Sequence, residues 1–100
     1  MAFENEAARL RKLARNPNVL VGWKSHADDE RKKDGIAKLD VHNMLKRCSV
    51  TNVEDTDGED GWRAEGTDID GRRITAIVVA YEDEENPEIK IITTWANKPK

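Results

Sequence analysis

An α+β domain is the fold class that this 100-residue sequence predicts, and three observations carry the prediction. Apolar residues in the first half recur at helical spacing, those in the second half alternate, and the change of period falls near residue 48. Helices gathered ahead of a run of strands pack as a layer on a sheet, unlike the interleaved order that builds a parallel sheet. A chain of this length forms one domain around one core, here a leading helical segment at 1–17 followed by a unit at 18–100.

Phe3, Ala7, Leu10, Leu13 and Ala14 share one helical stripe. Pro17 ends it, because the residue before a proline disfavours α geometry, so the first helix spans about residues 3–15. Its outer face carries Arg9, Arg11, Lys12 and Arg15, suited to phosphate, to an acidic partner or simply to solvent. Residues 19–23 are mostly β-branched or aromatic and predict a short strand. Ser25 with Asp28 predicts a capping arrangement, and Gly35 a C-terminal cap, for a second helix over 26–34. Val41, Met44, Leu45 and Cys48 place a third helix at 38–47, with Asp40 near its positive end.

Val50 and Val53 then mark a weak strand, and residues 54–61 read as a polar, turn-rich segment without the length or terminal Glu of a calcium loop. Strands at 61–69 and 72–82 are joined by Asp70-Gly71, a pair suited to the positive φ angles of a tight hairpin. Ile74, Ala76, Val78 and Ala80 alternate with Thr75, Ile77 and Val79, which predicts a central strand covered on both sides. In a last strand over 88–96, Ile89, Ile91, Thr93 and Trp95 alternate with Lys90, Ile92 and Thr94. The expected product is a set of N-terminal helices packed on a C-terminal antiparallel sheet of about four strands. Its core should hold Leu10, Leu13, Ile36, Val41, Met44, Leu45, Ile74, Val78, Ile89 and Ile91.

Charge is polarised along the chain. Residues 1–47 carry 11 Lys and Arg against 7 Asp and Glu, whereas residues 48–100 carry 6 against 13. The net charge of −3 argues against a dedicated nucleic-acid binder, although the basic half can touch phosphates. No apolar run approaches the roughly 20 residues that span a bilayer, and no secretory signal opens the chain, so a cytoplasmic protein without membrane contact is expected. Cys48 is the sole cysteine and no Cys/His pattern has zinc-ligand spacing; no metal and no cofactor are expected.

From His26 onward the chain resembles a bacterial family, domain of unknown function 4258. The likeness rests on His26-Ala27, on Gly35-Ile36 beginning nine residues after that His, on Asp40-Val41, and on Leu45 and Val50. Residues 62–66, Asp70-Gly71-Arg72, residues 74–80 and residues 91–94 resemble the family's strands, for a coverage of roughly 70 residues. Where the family often carries Arg four and eight residues after the His, this chain has Glu30 and Asp34, with Arg31 displaced by one. The resemblance implies a layout similar to RelE-like ribonuclease toxins and the MqsR and BrnT groups, which cut RNA with residues projecting from the sheet.

Metal-free RNA cleavage needs a base for the ribose 2′-hydroxyl, a cation for the charged phosphorane and an acid for the leaving oxygen. His26, Glu65 and Arg73 are the candidate catalytic residues; Arg31, Arg63, Arg72, Lys90, Trp62 and Trp95 are the candidate substrate contacts, and Tyr81 is a further acid. His26 leads because imidazole titrates near neutrality and the family pattern begins there. Arg63, Glu65 and Arg73 share a hairpin face, where opposite charges also pair without further purpose. Trp62 and Trp95 can stack on bases, anchor a partner or fill the core. His42 is expected at the surface, and Cys48 in the core without an activating base. The expected function is a small toxin-like domain, a metal-independent RNA endonuclease of a toxin–antitoxin system, with RNA and a cognate antitoxin as partners. The alternative is a non-catalytic interaction module, an inhibitor or regulator that uses an acidic sheet edge and an exposed Trp.

Overall fold

In the computed structural model, which describes residues 3–97, the chain order is α1 (Glu4–Arg15), β1 (Leu20–Trp23), α2 (Ser25–Lys33), α3 (Lys38–Leu45), β2 (Ser49–Thr56), β3 (Glu59–Thr67), β4 (Arg73–Tyr81) and β5 (Glu88–Ala96). The strands form one sheet in the order β1-β5-β4-β3-β2. Strands β2 to β5 are the expected antiparallel run. The short strand β1 adds a fifth, parallel to β5, with Val21 opposite Ile89 and Trp23 opposite Ile91.

All three helices feed one core on one face of the sheet. Leu10 of α1, Ala27 of α2 and Val41, Met44 and Leu45 of α3 join Ala64, Ile74, Ala76, Val78, Ile89 and Ile91 in a single buried cluster. Every residue predicted for the core is buried. Each such aliphatic side chain contributes about 1.5–3 kcal/mol by leaving water. Helix α3 approaches β3 closely because Gly66 lacks a side chain: a Cβ there would stand 2.5 Å from Met44 Cγ.

Three local expectations are corrected. Helix α2 begins at Ser25, its presumed cap, one residue earlier than expected. Lys24 is the N-cap without a side-chain bond, and Asp28 turns its carboxylate to Arg31 at 2.7 Å and Lys32 at 3.4 Å. The tight hairpin lies at Asp57-Gly58, both with positive φ (54° and 87°), so the supposed loop over 54–61 is mostly strand. Asp70-Gly71 instead belongs to a wider turn. There Asp68 Oδ1 accepts the N–H groups of Asp70 (3.0 Å) and Arg72 (2.8 Å), and only Gly71 has positive φ.

The third correction decides which side chains reach the open face. The β4–β5 register shifts between Ile77 and Val78, so that Ile77 faces Thr93 while Val78 faces Ile91. Ile92 is the extra residue of this bulge, and a bulge inverts alternation beyond it. The buried face of β5 is therefore Ile89, Ile91, Thr94 and Ala96, and Thr93 and Trp95 turn to the other side.

Candidate functional site on the uncovered sheet face

Among the described residues no helix covers the second face of the sheet, yet its centre is not bare. Ile77 and Val79 of β4 are only 7% and 4% exposed. Long side chains from the flanking strands shield them. Arg63 lies over the Trp95 ring, 5.5 Å from its centroid, and donates to Glu54 from Nε (2.9 Å). Arg73 donates to Glu65 at 3.2 Å, and Thr51 donates to the same carboxylate at 2.8 Å. The central strand is thus shielded on both sides, by helices on one and by neighbouring side chains on the other.

At the far end of this face the β2–β3 hairpin leans across the sheet. The Tyr81 hydroxyl donates to Glu59, 2.7 Å to one carboxylate oxygen and 3.0 Å to the other, which holds the tip in place. Between the tip and the β1–β5 side lies a recess of about 300 Å³, lined by Lys24, His26, Thr56, Asp57, Glu59, Lys90 and Ile92. The Lys90 ammonium sits 5.6 Å from the centroid of the Tyr81 ring. Hydrogen bonding to Glu59 and partial burial raise the Tyr81 phenol above its ordinary value, outweighing the opposing effect of Lys90. Lys90 is in turn held more basic than usual by its interaction with Tyr81. Phenol, carboxylate and ammonium thus form one coupled set, with the exposed imidazole of His26 on the same rim, 3.7 Å from Glu30.

The predicted catalytic residues divide between the two ends of the sheet. Glu65 and Arg73 pair with each other where β4 begins, and His26 lines the recess near its close. Arg73 and Tyr81 are eight residues apart on one strand, roughly 26 Å at ~3.3 Å per residue. Of the predicted contacts, Lys90 lines the recess, while Arg63 and Trp95 stand on the open face.

Arg31, Arg72 and Trp62 do not reach this face. Arg31 bonds Asp28 (2.7 Å) and the Ile36 carbonyl (3.3 Å) over the Trp23 ring, locking α2 to the loop that follows. Arg72 donates to Asp68 (3.0 Å) and to the carbonyls of Asp34 (2.8 Å) and Gly35 (3.1 Å), joining the β3–β4 turn to the end of α2. Trp62, on the opposite side of β3 from Arg63, is buried under Arg9, which pairs with Glu82. Glu30 faces His26, and Asp34 accepts the Ala96 N–H at 2.9 Å. His42, expected at the surface, is half-buried and donates from Nε2 to the Ala14 carbonyl at 3.0 Å.

Glu59 and Lys24 were not among the sequence candidates. The signal for Glu59 was the Asp57-Gly58 pair before it, a hairpin dipeptide that brings the next residue onto a strand. Among the described residues no group of three or more His, Cys, Asp or Glu is arranged to hold a metal, and no helix is long and apolar enough to cross a membrane. No protein-family model matches the chain, and no curated protein matches it, which leaves its own side chains as the ground for a functional reading.

Proposed function

We propose that this chain is a small toxin-like domain that cleaves RNA without a metal, and that the chemistry takes place in the recess beneath the β2–β3 hairpin. One observation carries the reading: an imidazole, two carboxylates and two ammonium groups line a hollow of about 300 Å³, the low end of ligand-site volumes, with the Tyr81 phenol bonded to Glu59 at its edge. In this scheme Glu59 takes the proton of the ribose 2′-hydroxyl, and the 2′-oxygen bonds to the adjacent phosphorus. The bond from phosphorus to the 5′-oxygen then breaks, and His26 in its protonated form returns a proton to the leaving oxygen. Lys24 and Lys90 stabilise the phosphorane charge, and Tyr81 positions Glu59. His26 stays in the catalytic set; Glu59 and Lys90 stand in it where Glu65 and Arg73 were expected. Such an enzyme would act in the cytoplasm, restrained by an antitoxin protein.

Purified protein incubated with total RNA, with and without chelator, tests this. Cleavage should persist in chelator and leave 2′,3′-cyclic phosphate ends. Each of His26→Ala, Glu59→Gln and Lys90→Gln should lower it by about 10²–10⁴-fold. Expression of the intact chain should slow bacterial growth, and His26→Ala should relieve it. An inert intact chain, or variants that cut as well as it does, would refute the reading.

A second reading is favoured by the neutralised arginines. Arg63 and Arg73 are each paired with a carboxylate, and Ile77 and Val79 close the middle of the face, as suits a protein-interaction module. That module would bind its partner without cutting RNA, and Trp95→Ala would release the partner.

A further inference from the structure

We infer that α1 and α3 together present a second surface, on the side of the sheet away from the recess, that takes the phosphodiester backbone of a nucleic acid. The two helices are fastened side by side. His42 Nε2 donates to the Ala14 carbonyl (3.0 Å), and Arg11 donates to the Cys48 carbonyl just beyond α3 (2.8 Å). Arg11 and Arg15 are one turn apart on α1, and His42 of α3 is one turn from Lys46, the cap that follows it, so four cationic or imidazole groups follow one seam. Lys12 extends the row. A hollow of about 530 Å³ lies on α1 beside it, lined by Ala8, Arg11, Lys12, Arg15 and Asn16.

These cations lack the compensation found elsewhere. Among the described residues, no carboxylate oxygen lies within 4.0 Å of a side-chain nitrogen of Arg11, Lys12, Arg15 or Lys46. On the open sheet face Arg63 and Arg73 are both paired. On its other side Lys12 shares a recess with Glu82, Asp83 and Glu84, the first of them bound by Arg9, so Arg11, Arg15 and Lys46 carry most of the uncompensated charge. The basic balance of residues 1–47 is thus available where α1 and α3 meet solvent.

The lining also selects the ligand. The hollow on α1 holds no aromatic and no large apolar side chain, the anchors on which protein interfaces depend, and Leu39 is the one exposed large apolar residue of α3. Phosphate oxygens need only positive charge and N–H donors, which Arg, Lys and Asn16 supply. An RNA backbone meets these conditions better than an acidic protein. The surface does not require the recess to be catalytic.

The test uses fluorescence anisotropy with a single-stranded 2′-O-methyl RNA of about 12 nucleotides, a probe that cannot undergo 2′-hydroxyl cleavage. The triple variant Lys12→Gln/Arg15→Gln/Lys46→Gln should bind at least tenfold more weakly at low salt. Its log–log salt slope should be shallower by about 2, near 0.7 per lost phosphate contact. Lys33→Gln, at an exposed lysine of α2 outside both surfaces, should bind like the intact chain, which separates this surface from positive charge in general. Should the triple variant fail to fold, Arg15→Gln alone should flatten the slope by about 0.7. The inference is overturned if the intact chain does not bind the probe, if a folded triple variant keeps affinity and slope, or if Lys33→Gln alone abolishes binding. Binding of polyglutamate in place of the RNA probe would equally overturn it and indicate an acidic protein partner.

Discussion

Replacing Asp68 with Ala should destabilise the fold by about 3 kcal/mol, a figure reached from three donors and one partner. The carboxylate, with a side chain only 3% exposed, accepts from the N–H of Asp70, the N–H of Arg72 and Arg72 Nε. Removing one partner of a fully buried ion pair costs about 3–5 kcal/mol. The Arg72 side chain is 34% exposed, so solvent screening places the loss at the bottom of that range. Arg72 also holds the end of α2 through two carbonyls, which spreads the damage from the turn to the helical layer. A domain of this size loses roughly 4–8 °C of Tm per kcal/mol, so the midpoint should fall by about 10–20 °C. Asp68→Asn, which keeps an acceptor for the two backbone donors, should lose about half as much free energy.

Acid supplies an internal control. Burial alone would raise the Asp68 carboxyl, but hydrogen bonds from the Arg72 backbone and side chain and from Asp70, together with the Arg72 charge, overcome it and hold it below its ordinary value. A depressed folded value means that the contribution is complete above the unfolded pKa of about 3.9 and fades as pH falls through the lower folded value. Urea titrations followed by Trp fluorescence at pH 7 and in acid should therefore show the gap between the intact chain and Asp68→Asn closing below about pH 4. A loss under ~0.5 kcal/mol for Asp68→Ala, typical of featureless surface sites, would refute the reasoning, as would a gap indifferent to acid.

Other expectations concern separate parts of the molecule. Leu10→Ala, at a position with no solvent exposure, should cost about 2–5 kcal/mol in the same urea titration. Glu59→Gln should move the phenol titration of Tyr81, the only tyrosine, downward in ultraviolet difference spectra; an unmoved midpoint would deny the Glu59 contact. Burial pushes the Cys48 thiol up to about 11, so a disulfide reagent at pH 8 should modify it only as fast as the protein opens. A folded chain that reacts at the rate of a free thiol would show that position open.

Periodicity found what depends on neighbours along the chain. The last strand was placed at 88–96 and is Glu88–Ala96; α1 was placed at 3–15 and is Glu4–Arg15. It missed what depends on pairing with a distant strand. Nothing in Ile91-Ile92-Thr93 marks a bulge, because the extra residue exists only relative to β4. Asp57-Gly58 and Asp70-Gly71 look alike in sequence, but Asp68 draws the latter into a wider turn held by its carboxylate. At the candidate site His26 and Lys90 were legible as residue types near predicted elements. Glu59 was not, because its position across the sheet follows from the lean of a hairpin and its bond to Tyr81. Arg31 and Arg72 misled for the converse reason: guanidinium groups that bond backbone carbonyls are indistinguishable in sequence from those that await a ligand.

The parallel pairing of β1 with β5 imposes an order on biosynthesis. Leu20 finds its partner Glu88 only after 68 more residues have been made, so during translation the early strand must wait while the α2–β4 segment emerges from the ribosome. Such long-range closure raises contact order and slows folding, and it leaves Val21 and Trp23 uncovered on the nascent chain until the final strand arrives. The recess, bordered by Lys24 and Lys90 from these two segments, can therefore take shape only once β5 has been made and has found β1.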